Sequence, residues 1–160
     1  LVRNDYTLES VFGVMRTDVL RRTPLLGNYA DCDRVLLAEI GLAGKIHEVP
    51  EYLFIHRHHR GRSVMQYTSR QERSAWFDPA QEGKPAFPWA RELFGYLAAV
   101  RRAPIPAGER VRCRAVMARW AWRNAGGLLE DWSYALRYLL RPVKRRVVRL
   151  LGGARRRGAQ

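Results

Sequence analysis

At 160 residues and 47% hydrophobic content the chain has the size of one domain with enough apolar material for a core, which excludes a wholly disordered chain. Lys and Arg number 29 against 15 Asp and Glu, a formal charge of +14, so the surface should attract phosphate groups on nucleic acid, anionic lipid or a sugar nucleotide alike. No run of about 18 apolar residues suits a membrane span, no signal-peptide pattern is visible, and Cys32 and Cys113 are too few and too separated for a disulfide framework, so a reducing, cytoplasmic setting is expected.

In chain order, the first zone (1–63) has an α/β texture. The run VFGVMR (11–16) is of β type, and a helical turn follows from Thr17. A helix is predicted from Asp33 to Ala43, with Leu36, Ile40 and Ala43 at i, i+4 and i+7, Leu37 alongside, and Gly44 where a left-handed C-terminal residue is wanted. KIHEV (45–49) and YLFIHR (52–57) follow, rich in β-branched and aromatic residues, and read as strands.

The second zone (64–88) is a linker or wrapping loop. It holds a short helix opened by the capping-box pattern Ser69-x-x-Glu72, then the Pro/Gly-rich FDPAQEGKPAFP. Helical patterning fills 89–140 as an α-helical extension, interrupted by APIPAG (103–108) and by Gly126-Gly127. Met117, Trp120 and Ala121 share one helical face, as do Leu136, Leu139 and Leu140, so both groups read as packing stripes. A basic tail (141–160) closes the chain.

Asp31-Cys32-Asp33 admits three readings: a helix N-cap, where free N–H groups and the macrodipole favour a carboxylate; a metal-holding Asp-x-Asp, since hard cations prefer carboxylate oxygens; or a catalytic base. The metal reading needs a preceding strand, which LLGNYADCD does not resemble. Of the four histidines, His56 and His58 would share one face of a strand and His59 the other, which disfavours a compact zinc site. His47 and His56 read as structural.

The stretch FGVMRTDVLRRTPLLGNYADCDRVLLAEIGLAGKIHEVPEYLFIHRHHRGRS (12–63) resembles the second half of the catalytic domain of family 2, GT-A-fold glycosyltransferases. That family shows an acid at a helix start about eleven residues before a Gly, then a strand, then a vPe.L..yR.H..S pattern. Here Asp33 precedes Gly44 by eleven, and Val49-Pro50-Glu51, Leu53, Arg57, His59 and Ser63 follow in order. The family's acid pair is usually Glu-Asp, and Cys32 stands in place of the Glu. The resemblance continues more loosely to about Arg141.

It implies an α/β fold, the C-terminal, acceptor-side part of a Rossmann-like GT-A domain followed by helices. It also implies an inverting sugar transfer from a nucleotide-sugar donor with a divalent metal, Mg or Mn. Asp33 would be the general base, taking the acceptor hydroxyl's proton as the oxygen attacks the anomeric carbon, with a plain N-cap or an Asp31 base as the alternatives. A helix N-terminus would keep that carboxylate ionised. His59 would lie near the metal and the diphosphate, and Arg57 beside the leaving group. Phe12, Gly13, Val14 and Arg16 would line the acceptor pocket or form an ordinary core strand. The family's donor-binding half would lie upstream, so this chain by itself is expected not to turn over a nucleotide sugar.

Basic residues interleaved with Trp120, Trp122, Trp132, Tyr134 and Tyr138 raise a second class, a nucleic-acid module, but no RRM, KH or zinc-finger pattern accompanies them. The segment 141–157 has eight basic residues and no acid, with Val143, Val147, Leu150 and Leu151 between them. It reads either as a solvated tail or as a peripheral anchor on an anionic leaflet, which would place the protein at the cytoplasmic face of a membrane.

Overall fold

A computed structural model describes residues 8–55, 57, 61 and 66–140. A 3₁₀ turn at Leu8–Phe12 precedes helices α1 (Thr17–Leu20), α2 (Cys32–Ala43) and α3 (Arg70–Phe77); after a second 3₁₀ turn at Pro79–Gln81 come α4 (Pro88–Arg102) and α5 (Ala107–Arg123). The last described helix, α6, spans 125–140.

No strand or sheet occurs among the described residues, and the expected α/β, GT-A-type fold is overturned: the architecture is all-helical. The reason is the lack of a pairing partner among the described residues. β-propensity records how well a residue fits a pleated, half-buried surface, and it is realised only when a neighbouring strand takes up the backbone N–H and C=O groups. Among the described residues, the backbone–backbone bonds of 45–55 are short-range, Glu51 N–H to Val49 O at 2.8 Å and Leu53 N–H to Glu51 O at 3.0 Å. Ile46, Val49, Leu53, Phe54 and Ile55 remain exposed. The expected strand at 11–16 is likewise a 3₁₀ turn followed by irregular chain, and it meets the 45–55 segment through Phe12 stacked on Phe54 at 5.2 Å instead of through a ladder.

Helix α4 lies between α2 and α5 in the packing. Its Tyr96 meets Val35 of α2 and Met117 and Trp120 of α5 in the buried core, with Trp89, Leu93, Val116 and Ala121 around them. Tyr96 is edge-on to Trp120 at 5.6 Å. The Met117/Trp120/Ala121 stripe is thus core, as its spacing predicts. The stripe on α2 is rotated from expectation: Cys32, Val35, Leu36, Leu37 and Glu39 are buried while Ala43 is exposed. Glu39 can be buried because Arg102, at the end of α4, clamps its Oε1 with both Nε and Nη2. Gly95 allows this close approach, since a Cβ there would come within 2.8 Å of Val35 Cγ2. Gly44 is extended, with φ 178°, and supplies no left-handed cap.

Gly126-Gly127 was expected to break the helical pattern, yet both lie within α6, and the break falls at Asn124. Asn124 terminates α5 by donating its backbone N–H and its Nδ2 to Trp120 O, at 3.0 and 2.8 Å. Position 127 must be glycine because the indole of Trp89 packs directly over its Cα, where a Cβ would collide. The expected Leu136/Leu139/Leu140 packing stripe is also corrected: all three leucines are exposed. The buried side of α6 carries Asp131 instead.

Glu92 is buried on α4 and accepts a hydrogen bond from Tyr96 Oη at 2.8 Å. Burial pushes its carboxyl above the usual range despite that bond and the nearby Arg34. The folded state therefore holds the Glu92 proton more tightly than the unfolded chain. Its contribution to stability is full below the ordinary Glu range and is lost as pH rises through the raised folded value. In Glu92→Gln, whose amide oxygen still accepts from Tyr96, the melting temperature should gain on the wild type as pH is raised between about 4 and 8. A constant difference between the two melting curves would show that Glu92 does not titrate abnormally.

Candidate functional site

The N-terminal ends of α2, α3 and α4 converge on one open cleft of about 350 Å³. Tyr29, Ala30 and Asp31 lead into α2, Arg70, Arg73 and Ser74 contribute from α3, and Pro88, Trp89 and Arg91 from α4; the Pro/Gly-rich segment closes one wall with Gln81, Pro85 and Ala86. That wall is tied to the start of α2 by Asn28 Nδ2, which donates to Asp78 Oδ2 at 2.9 Å. Asp78 also accepts from Ala80 N–H and Gln81 Nε2, bonds that hold its carboxyl below the usual range, the Gln81 bond most of all.

The N-terminal ends of α3 and α4 are capped in different ways. Ser69 and Glu72 form the reciprocal capping box the sequence predicts, with Glu72 N–H to Ser69 Oγ and Ser69 N–H to Glu72 Oε2 both at 3.2 Å. Helix α4 has Pro at N1 and no side-chain cap of its own. Its Ala90 N–H is taken by Asp131 of α6 at 2.9 Å, so a buried carboxylate 41 residues away does the work of an N-cap. Asp131 also receives Arg70 Nη1 at 2.7 Å, and the same guanidinium reaches Glu130 at 3.1 Å and covers the Tyr134 ring at 5.4 Å. Arg70 is thereby fixed in the cleft wall.

Asp31 is the N-cap residue of α2, but its side chain makes no cap bond. Its backbone is left-handed, φ 64°, which costs a non-glycine residue roughly 1–2 kcal/mol, less for Asp than for most. The carboxylate is directed into the cleft, where Arg73 Nη2 lies 3.6 Å from Oδ1. Arg91 lies over the Tyr29 ring at 5.3 Å. Burial raises the Tyr29 phenol above its ordinary value, so the ring is neutral at physiological pH.

Of the residues expected from sequence, Asp33 lies in the first turn of α2 but is not among the cleft-lining residues; its Oδ1 accepts its neighbour Arg34 N–H at 2.9 Å. Burial, and then the charge of Asp31, push the Asp33 carboxyl up, opposite to the effect expected from its helix end. Arg57 and His47 are exposed and away from the cleft. His56, His58, His59 and Ser63 lie outside the described residues. Cys32 is buried and its thiol is pushed up by burial, which disfavours the thiolate.

The cleft arginines were not singled out from sequence, although a signal was there. Arg70 and Arg73 lie in the first turn of α3 and Arg91 in the first turn of α4, where the macrodipole opposes a positive charge. Local preference does not place three arginines at helix N-termini.

Arg73 and Arg91 lend the cleft positive charge suited to an anion, while the ends of α3 and α4 and the Arg70 guanidinium already have carboxylate partners in Glu72, Asp131 and Glu130. The divalent metal that the resemblance implies finds no set among the described residues: no group of three or more His, Cys, Asp or Glu could hold one, and Asp31 is paired with Arg73. No described helix is long and apolar enough to cross a membrane. Comparison of the chain with protein-family models, curated proteins and solved structures finds no match.

Proposed function

We propose that the chain takes part in sugar transfer from a nucleotide-sugar donor, with Asp31 as the base that receives the acceptor hydroxyl's proton. The observation that carries this reading is the Asp31 carboxylate, the one acid among the described residues of the cleft lining, beside Arg73 and Arg91. In such a transfer the acceptor oxygen bonds to the anomeric carbon, the bond from that carbon to the diphosphate oxygen breaks, and the proton goes to the carboxylate. Negative charge accumulates on the departing diphosphate, and Arg73 and Arg91 of the cleft lining would offset it. The resemblance of residues 12–63 to family 2 glycosyltransferases supports the reaction class, with the acid reassigned from Asp33 to its neighbour in the same turn.

The test is an assay of the native protein, expressed from its own gene, with labelled nucleotide sugars and mixed glycan and lipid acceptors. Transfer of label that Arg73→Ala and Arg91→Ala each weaken is the expected result. Absence of transfer from every nucleotide sugar, or transfer indifferent to both arginines, would overturn the reading.

A further inference from the structure

Helix α6 (125–140) presents two unlike apolar sides. One packs on the rest of the chain through Gly127, Asp131 and Tyr134. At 100° per residue, Leu129, Trp132, Leu136, Leu139 and Leu140 fall on an arc away from these, and they are between 51% and 76% exposed. Five large apolar side chains in one exposed stripe exceed the scattered surface hydrophobics that need no explanation. A polar strip of Glu130, Ser133 and Arg137 bounds the arc, and its one acid is paired with Arg70.

Past residue 140 the sequence is strongly basic: the eight Lys and Arg of 141–157 are accompanied by no acid. We infer that the exposed face of α6 docks on an anionic lipid surface, with Trp132 and the leucines entering the headgroup boundary. Charge complementarity selects this occupant. A second copy would bring one +14 chain and its basic segment against another, whereas a leaflet of acidic headgroups offsets that charge and accepts a Trp/Leu face lying in its plane. This inference is independent of the sugar-transfer reading, because no residue of the stripe lines the cleft.

The test uses the 160-residue chain and flotation with vesicles of phosphatidylcholine alone or with about 30% phosphatidylserine, an anionic content typical of a cytoplasmic leaflet. Binding to the anionic vesicles only is expected, weakening as salt shortens the screening length below about 10 Å. Leu136→Glu/Leu139→Glu should lower binding by about tenfold or more, because it places two acids on the inserted face, with the helical circular dichroism retained since both side chains are exposed. Should that pair fail to fold, Trp132→Phe supplies the second readout: the blue shift of tryptophan emission on vesicle addition should be largely lost while binding persists. Equal binding to neutral vesicles, binding indifferent to the Leu136/Leu139 pair, or an unchanged blue shift in Trp132→Phe would overturn the inference. So would a lipid-free dimer that the leucine pair dissociates and anionic vesicles do not bind.

Discussion

In the native protein, Asp31→Asn should lower sugar-transfer turnover by the roughly 100- to 10,000-fold typical of losing a positioned general base, while leaving donor affinity near that of the wild type. Asparagine nearly preserves the shape of the side chain and also tolerates the left-handed backbone at φ 64°, so the start of α2 should be undisturbed. Only the proton acceptor is removed. Asp33→Asn is the matched control, because Asp33 lies two residues on in the same turn but does not line the cleft. Its turnover should stay within about threefold of wild type, the size of effect expected of a group outside the transition state. The check is kcat and KM for each variant. The reverse order, with Asp33→Asn crippled and Asp31→Asn active, would return the base to Asp33 and make the cleft pairing of Asp31 and Arg73 structural.

Asp131→Ala should destabilise the fold by about 3–5 kcal/mol, the range for breaking a buried ion pair from one side. Asp131 is 2% exposed and bonds both Arg70 and the Ala90 N–H, so its loss orphans a guanidinium and a helix end together. The remaining partner of Arg70, Glu130, is largely exposed and offsets little of that. Asp131→Asn keeps an oxygen for the Ala90 N–H and should cost less, about 1–3 kcal/mol, because the charge-assisted part of the Arg70 bond is lost. Urea titrations followed by circular dichroism measure both. A loss below about 1 kcal/mol for the alanine variant would mean that water or Glu130 replaces the carboxylate, and that the clamp does not hold the fold. Since Arg70 and Trp89 line the cleft, the same variant should also weaken any anion bound there.

Features with a local cause could be read from the sequence alone. The Ser69/Glu72 capping box, the helical turn at Thr17, the helix entered near Asp33 and the Met117/Trp120 face of α5 each depend on residues within a turn or two of one another. Composition likewise shows a chain able to bury a core and a charge of +14 that seeks anions. What required the tertiary structure was every choice of partner. KIHEV and YLFIHR carry strand-like residues but no neighbouring strand among the described residues, so their preference goes unused. Leu136, Leu139 and Leu140 have core spacing, yet Trp89 meets α6 at Gly127, and Asp131 and Tyr134 take the packed side, which turns the leucines outward. The cleft depends on the Arg70–Asp131 pair, 61 residues apart, and on three helix ends brought together from separate parts of the chain. Spacing along a chain records which residues share a face; which face is buried, and which carboxylate reaches an arginine, is decided by packing free energy between segments that no local pattern encodes.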